Sequence, residues 1–349
     1  MRIVLLTKNY GKNVTGATLA THTFIHFWAL NSKVNEIIVL AQHVFDHDEA
    51  EKIHVVHYHF QRDISSLITH YNTADTIFYS DDHYGSFLAD ARVTYIHTYH
   101  GHWPDARWIS IEYFFKSFYF IHEYSKAIKH ASVVVNVSEY MKRFTDIYNK
   151  KSVLIHNGID ESKIAHLPAK RENRKQPKCL MLGNIDARKY GLLPKLLDKI
   201  EKNCLNIHID IYGRIVNERL ARKLQSYKSV SVLGFVPFSS IDISSYSFLL
   251  SMSTKENLPI SIVEILKSHL PVLAIPAGGI PEVINENCGI LLDPGDMKKN
   301  LMSIRAVLNG DVNFSFNNKI LDDFSWEKSS LEYMRIFESC MNKKGGLPS

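Results

Sequence analysis

Two glutamates eight positions apart, Glu256 and Glu264, are the residues whose type and spacing most strongly suggest binding chemistry in this chain. Pro259 lies between them and suits the first turn of a helix, where its missing N–H costs little. The N–H groups exposed at a helix start bind anions, and carboxylates accept hydrogen bonds from vicinal hydroxyls. Two glutamates on one helix are more often a solvated face, so the pair needs supporting context.

That context is a second turn, in which Gly278 and Gly279 follow an apolar run at 271–275 and precede another helix. Paired glycines permit positive φ and allow a bulky anion to approach the backbone closely. A plain tight turn is the alternative interpretation of this pair alone. Two strand-to-helix turns of this kind in succession favour a shared phosphate-binding edge.

Short β-branched runs alternate with longer helical stretches, which predicts an α/β protein with parallel sheets and crossover helices. The runs lie at 3–6, 36–40, 76–79, 93–96 and 133–137, and then at 178–183, 207–212, 230–233, 248–252, 271–275 and 289–292. The polar segment 161–177 separates the two series and predicts a linker. A phosphate or lipid patch is the alternative role for its cations, which are Lys170, Arg171, Arg174 and Lys175.

At 349 residues the chain exceeds one ordinary hydrophobic core. We therefore expect an N-terminal Rossmann-like, doubly wound domain over 1–165 and a C-terminal one over 166–325. A final helix over 326–342 has one apolar face, so we expect it to pack back on the first domain. That face consists of Leu331, Met334, Phe337 and Met341.

The composition narrows the classes of partner. A net charge of +5 is small for this length and argues against a nucleic-acid binder, which concentrates cations on one face. The four cysteines are scattered and predict reduced thiols in the cytoplasm. No apolar stretch approaches the roughly 20 residues of a membrane span, although contact with a membrane surface stays open.

Together these motifs resemble the donor-binding half of the family 4 retaining glycosyltransferases (glycosyl transferases group 1). The resemblance is carried by the segments 233–236, 255–264, 278–283 and 289–292, and more weakly by 156–160 and 323–326. It implies a GT-B fold, in which an acceptor-binding and a donor-binding domain face a central cleft. It also implies transfer of a hexose or N-acetylhexosamine with retention of configuration.

The resemblance further implies a UDP-linked donor and a glycan or lipid-linked acceptor in bacterial surface polysaccharide biosynthesis. The nucleotide sugar is then a co-substrate, and neither a cofactor nor an obligatory metal is expected. The expected location is the cytoplasm, at the inner face of the membrane. The acidic pair Asp81 and Asp82 is interpreted as a helix cap and not as a metal site.

Donor-binding roles follow from the resemblance residue by residue. Glu256 inherits contact with the hexose hydroxyls, Glu264 the ribose, and the backbone at 257–259 the diphosphate. Lys189 stands at the family's lysine position, whereas Asn184 replaces a usual arginine and adjacent Arg188 is a candidate substitute. The donor-binding set is Gly16, Asn184, Arg188, Lys189, Gly213, Asn257, Leu258, Pro259, Glu264, Gly278 and Gly279, and the catalytic set is His100, Glu256 and Lys189.

In the first domain, His100 resembles the histidine that the family places beside the reacting sugar, with His97 and His102 as competitors. Gly16 resembles the first glycine of a loop that approaches the donor, and a simple N-cap by Thr15 is the rival interpretation. The aromatic stretch 109–130 predicts a helix that is apolar on two sides, one with Ile111 and Phe118 and the other with Phe120. We expect protein to enclose it, with a membrane interface as the alternative.

Two rival functions fit the same motifs. A nucleotide-sugar epimerase would share the architecture but convert its donor without an acceptor. A catalytically degenerate nucleotide-sugar-binding scaffold is favoured by Asn184, since a missing cation weakens stabilisation of the leaving diphosphate.

Overall fold

The structure of this chain is a computed structural model, and it describes residues 1–12, 15–101, 103–108, 110–164 and 177–345. The chain divides into two compact units, one formed by Met1–Gly158 with Asp323–Ser349 and the other by Ile159–Asp322. The four cations of the predicted linker lie outside the described residues.

The first unit is built on a parallel sheet with the strand order β3-β2-β1-β4-β5-β6-β7. Its strands are β1 (Arg2–Tyr10), β2 (Glu36–Val44), β3 (Ile53–His57), β4 (Thr76–Ser80), β5 (Tyr95–Tyr99), β6 (Val133–Asn136) and β7 (Ser152–Leu154). Its helices begin with α1 (Gly16–Ala29), α2 (Ile64–Tyr71), α3 (Gly85–Asp90), α4 (Trp103–Ala106), α5 (Ile111–His130) and α6 (Glu139–Tyr148). Both faces of the central strands are buried, as in other parallel sheets covered by helices.

The second unit repeats the plan, with the strand order β10-β9-β8-β11-β12-β13. Its strands are β8 (Lys178–Leu182), β9 (His208–Tyr212), β10 (Val230–Gly234), β11 (Phe248–Ser251), β12 (Val272–Ala274) and β13 (Gly289–Leu291). Its helices are α7 (Ala187–Tyr190), α8 (Leu193–Lys202), α9 (Glu218–Gln225), α10 (Ile260–Lys267), α11 (Ile280–Val283) and α12 (Met297–Asn309). The strand order reverses direction between β8 and β11, and doubly wound sheets bind ligands at such a switch point.

The last helix, α13 (Trp326–Gly345), belongs to the first unit and packs against α1 and β4. Its buried Tyr333 and Phe337 contact the indole of Trp28 on α1, with ring centroids 5.2 and 5.0 Å away. The Tyr333 hydroxyl also lies 2.8 Å from the Thr98 hydroxyl in β5. Of the apolar face predicted from the sequence, Met334 and Phe337 are buried against the first unit, whereas Leu331 is 54% exposed and Tyr333 is buried instead.

The expected enclosure of the aromatic helix α5 is wrong for one of its sides. Phe120 stacks on Trp103 with centroids 4.1 Å apart, because α3 and α4 cover that side. On the other side, Ile111 is 79% exposed and Phe118 is 63% exposed. Among the described residues, no helix has both the length and the apolar character that crossing a bilayer requires.

The two parallel α/β sheets confirm the predicted fold class. In each unit the loops that follow the strands gather at one edge of the sheet, because parallel strands all end there. The predicted donor residues occupy this edge in the second unit.

Candidate functional site

The central feature of the carboxyl edge of the second sheet is the side chain of Glu256, which lies in the loop after β11. Its Oε1 lies 3.1 Å from Nζ of Lys189, and its Oε2 lies 3.6 Å from Nη1 of Arg188. The Ser253 hydroxyl donates to Oε1 at 2.8 Å. The carboxylate is 10% exposed, so these partners compensate for its lost hydration.

Local structure after β8 places Lys189. Asp186 caps α7 by accepting a hydrogen bond from the Lys189 backbone N–H at 2.9 Å. Gly183 has a φ of +124°, and a Cβ there would lie 2.7 Å from Nζ and Cδ of Lys189. A side chain at this position would displace the lysine side chain that folds over the end of β8, and the positive φ itself favours glycine.

Arg188 joins the loops after β8 and β11. Its Nη1 donates to the Lys255 carbonyl at 3.1 Å, and its own carbonyl accepts from the Thr254 backbone N–H at 2.9 Å. Arg188 therefore supplies a second cation to this edge of the sheet. Asn184, at the position of the family's usual arginine, is exposed.

Helix α10 begins immediately after Pro259, which stands at the N-cap position with a φ of −73°. The prediction placed Pro259 inside the first turn, so the helix starts one residue later than expected. A proline has no side-chain acceptor, and within the described chain no side chain caps α10. Glu264 is the fifth residue of α10 and is half-buried, in the second turn as predicted.

The glycine turn after β12 packs against the Glu256 loop. Gly278 has a φ of +60°, and a Cβ there would lie 1.8 Å from the Glu256 carbonyl oxygen. The Gly279 N–H donates to the Asn257 carbonyl at 2.5 Å. The N–H of Gly279 therefore holds the neighbouring loop, and the helix that follows, α11, has only four residues.

Gly213 has a comparable packing role after β9. A Cβ at this residue would lie 1.9 Å from the Gly183 carbonyl oxygen. The glycines at 213 and 278 thus allow adjacent loops to approach each other closely. The roles assigned to the donor-binding residues stay predictions.

Sequence reasoning missed Ser253, Gly183 and Asp186 as parts of this site. The signal for Asp186 was present, because an aspartate three residues before a predicted helical lysine is typical of an N-cap. Ser253 and Gly183 were recognisable only once the loops after β8 and β11 were seen to meet.

In the first unit, His100 directly follows β5, and its Nε2 is buried. Burial lowers the pKa of His100 to about 4, so its ring is neutral at neutral pH. The competitor His97 lies inside β5, where its Nδ1 is 2.9 Å from the Ser80 hydroxyl, and burial lowers its pKa to about 3. His97 therefore has a structural environment, and His102 lies outside the described residues.

The loop before α1 shows the helix cap by Thr15 that was the rival interpretation of the Gly16 segment. Thr15 caps the helix by accepting from the Thr18 backbone N–H at 3.2 Å, while Thr18 Oγ1 accepts from the Thr15 N–H at 2.9 Å. A Cβ at Gly16 would meet nothing within 4 Å in the described structure. The capping box is thus observed, and the approach of Gly16 to a donor stays a prediction.

The interpretation of Asp81 and Asp82 as a helix cap is wrong. Asp82 accepts from the Lys8 and Tyr84 backbone N–H groups at 2.7 and 2.8 Å, and Tyr84 occupies the N-cap position of α3 without a side-chain bond. Asp81 is buried and accepts from the Thr21 hydroxyl at 2.6 Å. Asp82 therefore holds β1 to the end of β4, and Asp81 holds α1 there.

The described residues contain one group of side chains with the types and spacing of metal ligands, formed by His22, His26 and Asp48. It lies in the first unit, on α1 and after β2. The Lys12 ammonium already contacts the Asp48 carboxylate. No metal role in the predicted donor site follows from this group.

Comparison of the sequence with known protein families identifies the second unit. Residues 162–319 match the family described as Glycosyl transferases group 1. No curated protein sequence matches the chain.

Solved structures resemble the whole chain. They include the apo form of the lipopolysaccharide outer core galactosyltransferase WaaB (TM-score 0.74, 15% identity, 97% of this chain and 99% of that chain). Sucrose-phosphate synthase from Thermosynechococcus elongatus matches with a TM-score of 0.77 and 15% identity, over 98% of this chain and 99% of that chain. HepE from Anabaena in complex with UDP and glucose matches with a TM-score of 0.71 and 15% identity, over 97% of this chain and 100% of that chain.

Likeness at this identity shows the fold, and the family match covers most of the second unit. The two-sheet architecture is GT-B, with the Lys189 and Glu256 side chains at the switch point of its second sheet. The second unit therefore carries a glycosyl transferases group 1 domain, which makes the chain a glycosyltransferase.

Proposed function

We propose that the chain is a family 4 retaining glycosyltransferase that moves a hexose or N-acetylhexosamine from a UDP-linked donor to a glycan or lipid-linked acceptor. The observation that carries this proposal is the anchored carboxylate of Glu256, held by Lys189, Arg188 and Ser253 close to the start of α10. A carboxylate suits sugar hydroxyls, and cations with a helix start suit a diphosphate. Together they match the parts of a nucleotide sugar.

The diphosphate is assigned to the backbone around Asn257, Leu258 and Pro259 and to the Lys189 ammonium. A bound diphosphate competes with Glu256 for Lys189, since both are anions within reach of one cation. Displacement of the lysine frees Glu256 Oε1 to accept a hydrogen bond from a hexose hydroxyl. Glu264, one turn further along α10, is assigned to the ribose hydroxyls.

Transfer breaks the bond between the anomeric carbon and the donor phosphate oxygen, and the electron pair leaves with the nucleoside diphosphate. The acceptor oxygen bonds to the anomeric carbon on the same face, and its proton passes to a phosphate oxygen. Lys189, Arg188 and the helix start stabilise the growing negative charge, a contribution of about 3 kcal/mol for one well-placed donor. Glu256 orients the hexose in this scheme.

His100 is assigned to the acceptor side of the reaction, in the first unit. Its low pKa keeps the imidazole neutral, so it can orient a sugar hydroxyl by hydrogen bonding without adding charge.

The UDP assignment is supported by HepE, whose structure contains UDP and glucose. The surface polysaccharide assignment is supported by WaaB, which acts on the lipopolysaccharide outer core. The nucleotide sugar is the only co-substrate in this proposal, which includes no cofactor and no obligatory metal. The proposed place of work is the cytoplasm at the inner face of the membrane.

A panel of UDP sugars tests the proposal through binding and product release. UDP and the preferred UDP sugar should raise the melting temperature of the purified chain, and UDP release should require an acceptor glycan or lipid. Anomeric analysis of the product should show retained configuration. Glu286→Gln, an exposed glutamate before β13, is the control for Glu264→Ala, which should abolish UDP-sugar turnover.

The outcomes separate the rival functions. Conversion of the donor to an isomeric sugar without acceptor identifies an epimerase. Binding of UDP sugars with no release under any acceptor identifies a scaffold. No stabilisation by any nucleotide, or an unchanged rate in Glu264→Ala, contradicts the proposed donor site.

A further inference from the structure

The loop after β2 meets α1 at a group of three side chains that the proposed reaction leaves unused. His22 and His26 stand four residues apart on α1, so their rings share one face of the helix, with centroids 4.4 Å apart. Asp48 follows β2, and one potential ligand atom from each of the three side chains lies within 4.8 Å of the other two. Two imidazoles and a carboxylate at this spacing are the ligand types of a zinc site.

The ring of His26 is oriented by its own helix. Its Nδ1 lies 2.8 Å from the His22 carbonyl oxygen, which can only accept, so Nδ1 carries the hydrogen. In a neutral ring this leaves the lone pair on Nε2, the arrangement that metal-ligating histidines usually have. Nε2 lies 3.3 Å from the Asp48 carbonyl oxygen, so two lone pairs face each other. A metal ion bound to Nε2 relieves this repulsion, whereas a ring protonated on Nε2 does not bind a metal.

A buried tyrosine without a hydrogen-bond partner lies beside the group. Tyr10 ends β1 and is 1% exposed, and its hydroxyl has no partner among the described residues. Its ring lies 5.5 Å from the His22 ring and 5.7 Å from the ring of His47, which precedes Asp48. Burial and the charge of the Asp48 carboxylate both raise the pKa of Tyr10. A zinc ion with three protein ligands keeps a water in its fourth position, and such a water can supply the missing partner.

Two contacts compete with a metal ion, and both can be replaced. The Asp48 backbone N–H donates to His22 Nε2 at 3.1 Å, and the Lys12 ammonium contacts the Asp48 carboxylate. Asp48 is exposed, and exposed ion pairs contribute little free energy. Metal–ligand bonds near 2 Å place the ligand atoms of a tetrahedral site roughly 3.4 Å apart. The three side chains therefore need to close by at most about 1.4 Å.

We propose that His22, His26 and Asp48 bind one divalent transition-metal ion of the zinc class, with water completing the coordination. Mg²⁺ and Ca²⁺ prefer oxygen ligands, so the two imidazoles select against them. The ion joins α1 to the loop after β2 and stabilises the first unit. The site uses no residue assigned to sugar transfer, so the inference goes beyond the proposed function and does not depend on it.

Isothermal titration of the chelator-treated, full-length chain with Zn²⁺ tests the site. One Zn²⁺ should bind tightly per chain, and Mg²⁺ should not compete. His26→Gln and Asp48→Asn should each weaken Zn²⁺ binding by about a hundredfold or more, since loss of an outer partner alone costs roughly tenfold to a hundredfold. His59→Gln is the matched control, because its exposed ring also contacts a histidine ring, that of His57 at 4.6 Å, but lies outside the group. This control should bind Zn²⁺ as the unaltered chain does.

Lys12→Met separates metal binding from a general loss of structure. It removes the competing ammonium and should tighten Zn²⁺ binding by about twofold to fivefold, the contribution of one exposed ion pair. Saturating Zn²⁺ should raise the melting temperature of the unaltered chain and leave that of His26→Gln unchanged. The site would be overturned by the absence of saturable Zn²⁺ binding, or by equal affinity in the unaltered chain and both ligand variants. Weaker or unchanged binding in Lys12→Met, or an equal loss in His59→Gln, would also overturn it.

Discussion

Nζ of Lys189 lies 3.1 Å from Oε1 of Glu256, so the two residues assigned to opposite ends of a sugar phosphate are paired with each other. One belongs to the turn after β8 and the other to the loop after β11, the two strands that flank the switch point. The pair links the strand order of the sheet to the proposed chemistry. In the proposed complex, the diphosphate replaces Glu256 as the partner of Lys189, and a hexose hydroxyl replaces Lys189 as the partner of Glu256.

Glu256→Gln should lower kcat/KM for glycosyl transfer by about 10²-fold or more, since the hexose loses a charged acceptor in the transition state. UDP affinity should stay equal or increase, because Lys189 no longer has a competing carboxylate. Isothermal titration with UDP and a transfer assay measure the two effects. Glu286→Gln is the control, and weaker UDP binding by Glu256→Gln would contradict the proposed competition.

Lys189→Met should weaken UDP binding by roughly tenfold to a hundredfold, and most of the salt dependence of binding should disappear with the ammonium. Lys195→Met, an exposed lysine on α8, should bind UDP as the unaltered chain does. Titrations at several ionic strengths check both expectations. An unchanged salt dependence would show that the lysine does not contact the phosphates.

Gly278→Ala should disorganise the Glu256 loop, because its Cβ would lie 1.8 Å from the Glu256 carbonyl oxygen. Gly310→Ala is a matched control for strain, since Gly310 has a similar positive φ of 78° but no atom within 4 Å of the added Cβ. Urea unfolding should show a loss of about 1 kcal/mol for the control, the usual cost of the left-handed conformation, and a larger loss for Gly278→Ala. UDP binding should fall only in Gly278→Ala. Equal losses in both variants would mean that the loop contact is unimportant.

His100→Gln should reduce transfer by about tenfold or more without changing UDP affinity, since the residue lies in the first unit. Burial lowers the pKa of His100 to about 4, so its protonation should not shape the pH–rate profile between pH 5 and 8. Profiles of the unaltered chain and the variant should therefore be parallel in that range. A limb near pH 6.5 that disappears in His100→Gln would contradict a neutral positioning role.

The sequence was sufficient to predict the alternation of strands and helices, because buried parallel strands are short apolar runs with few competing patterns. It also indicated Lys189 and Glu256 as residues of one site. It could not indicate that they pair, since the distance between two loops depends on sheet order and on glycine contacts at 183 and 278. The exposed side of α5 was mispredicted because an apolar helix surface has the same sequence pattern whether protein covers it or not.

Asp81→Asn should change how stability depends on pH in the first unit. Burial raises the pKa of Asp81 to about 7, with Asp82 adding to the shift, whereas an unfolded aspartate titrates near 4. Between these two pKa values the folded state holds one more proton than the unfolded state. The contribution of Asp81 to the free energy of unfolding is therefore fully present below pH 4 and is lost as the pH rises to about 7. Replacement by asparagine keeps an acceptor for the Thr21 hydroxyl and removes this titration, so the variant should gain stability relative to the unaltered chain as pH rises from 5 to 8. Thermal unfolding across that range measures the difference, and parallel curves for the two proteins would show that Asp81 stays ionised in the folded chain.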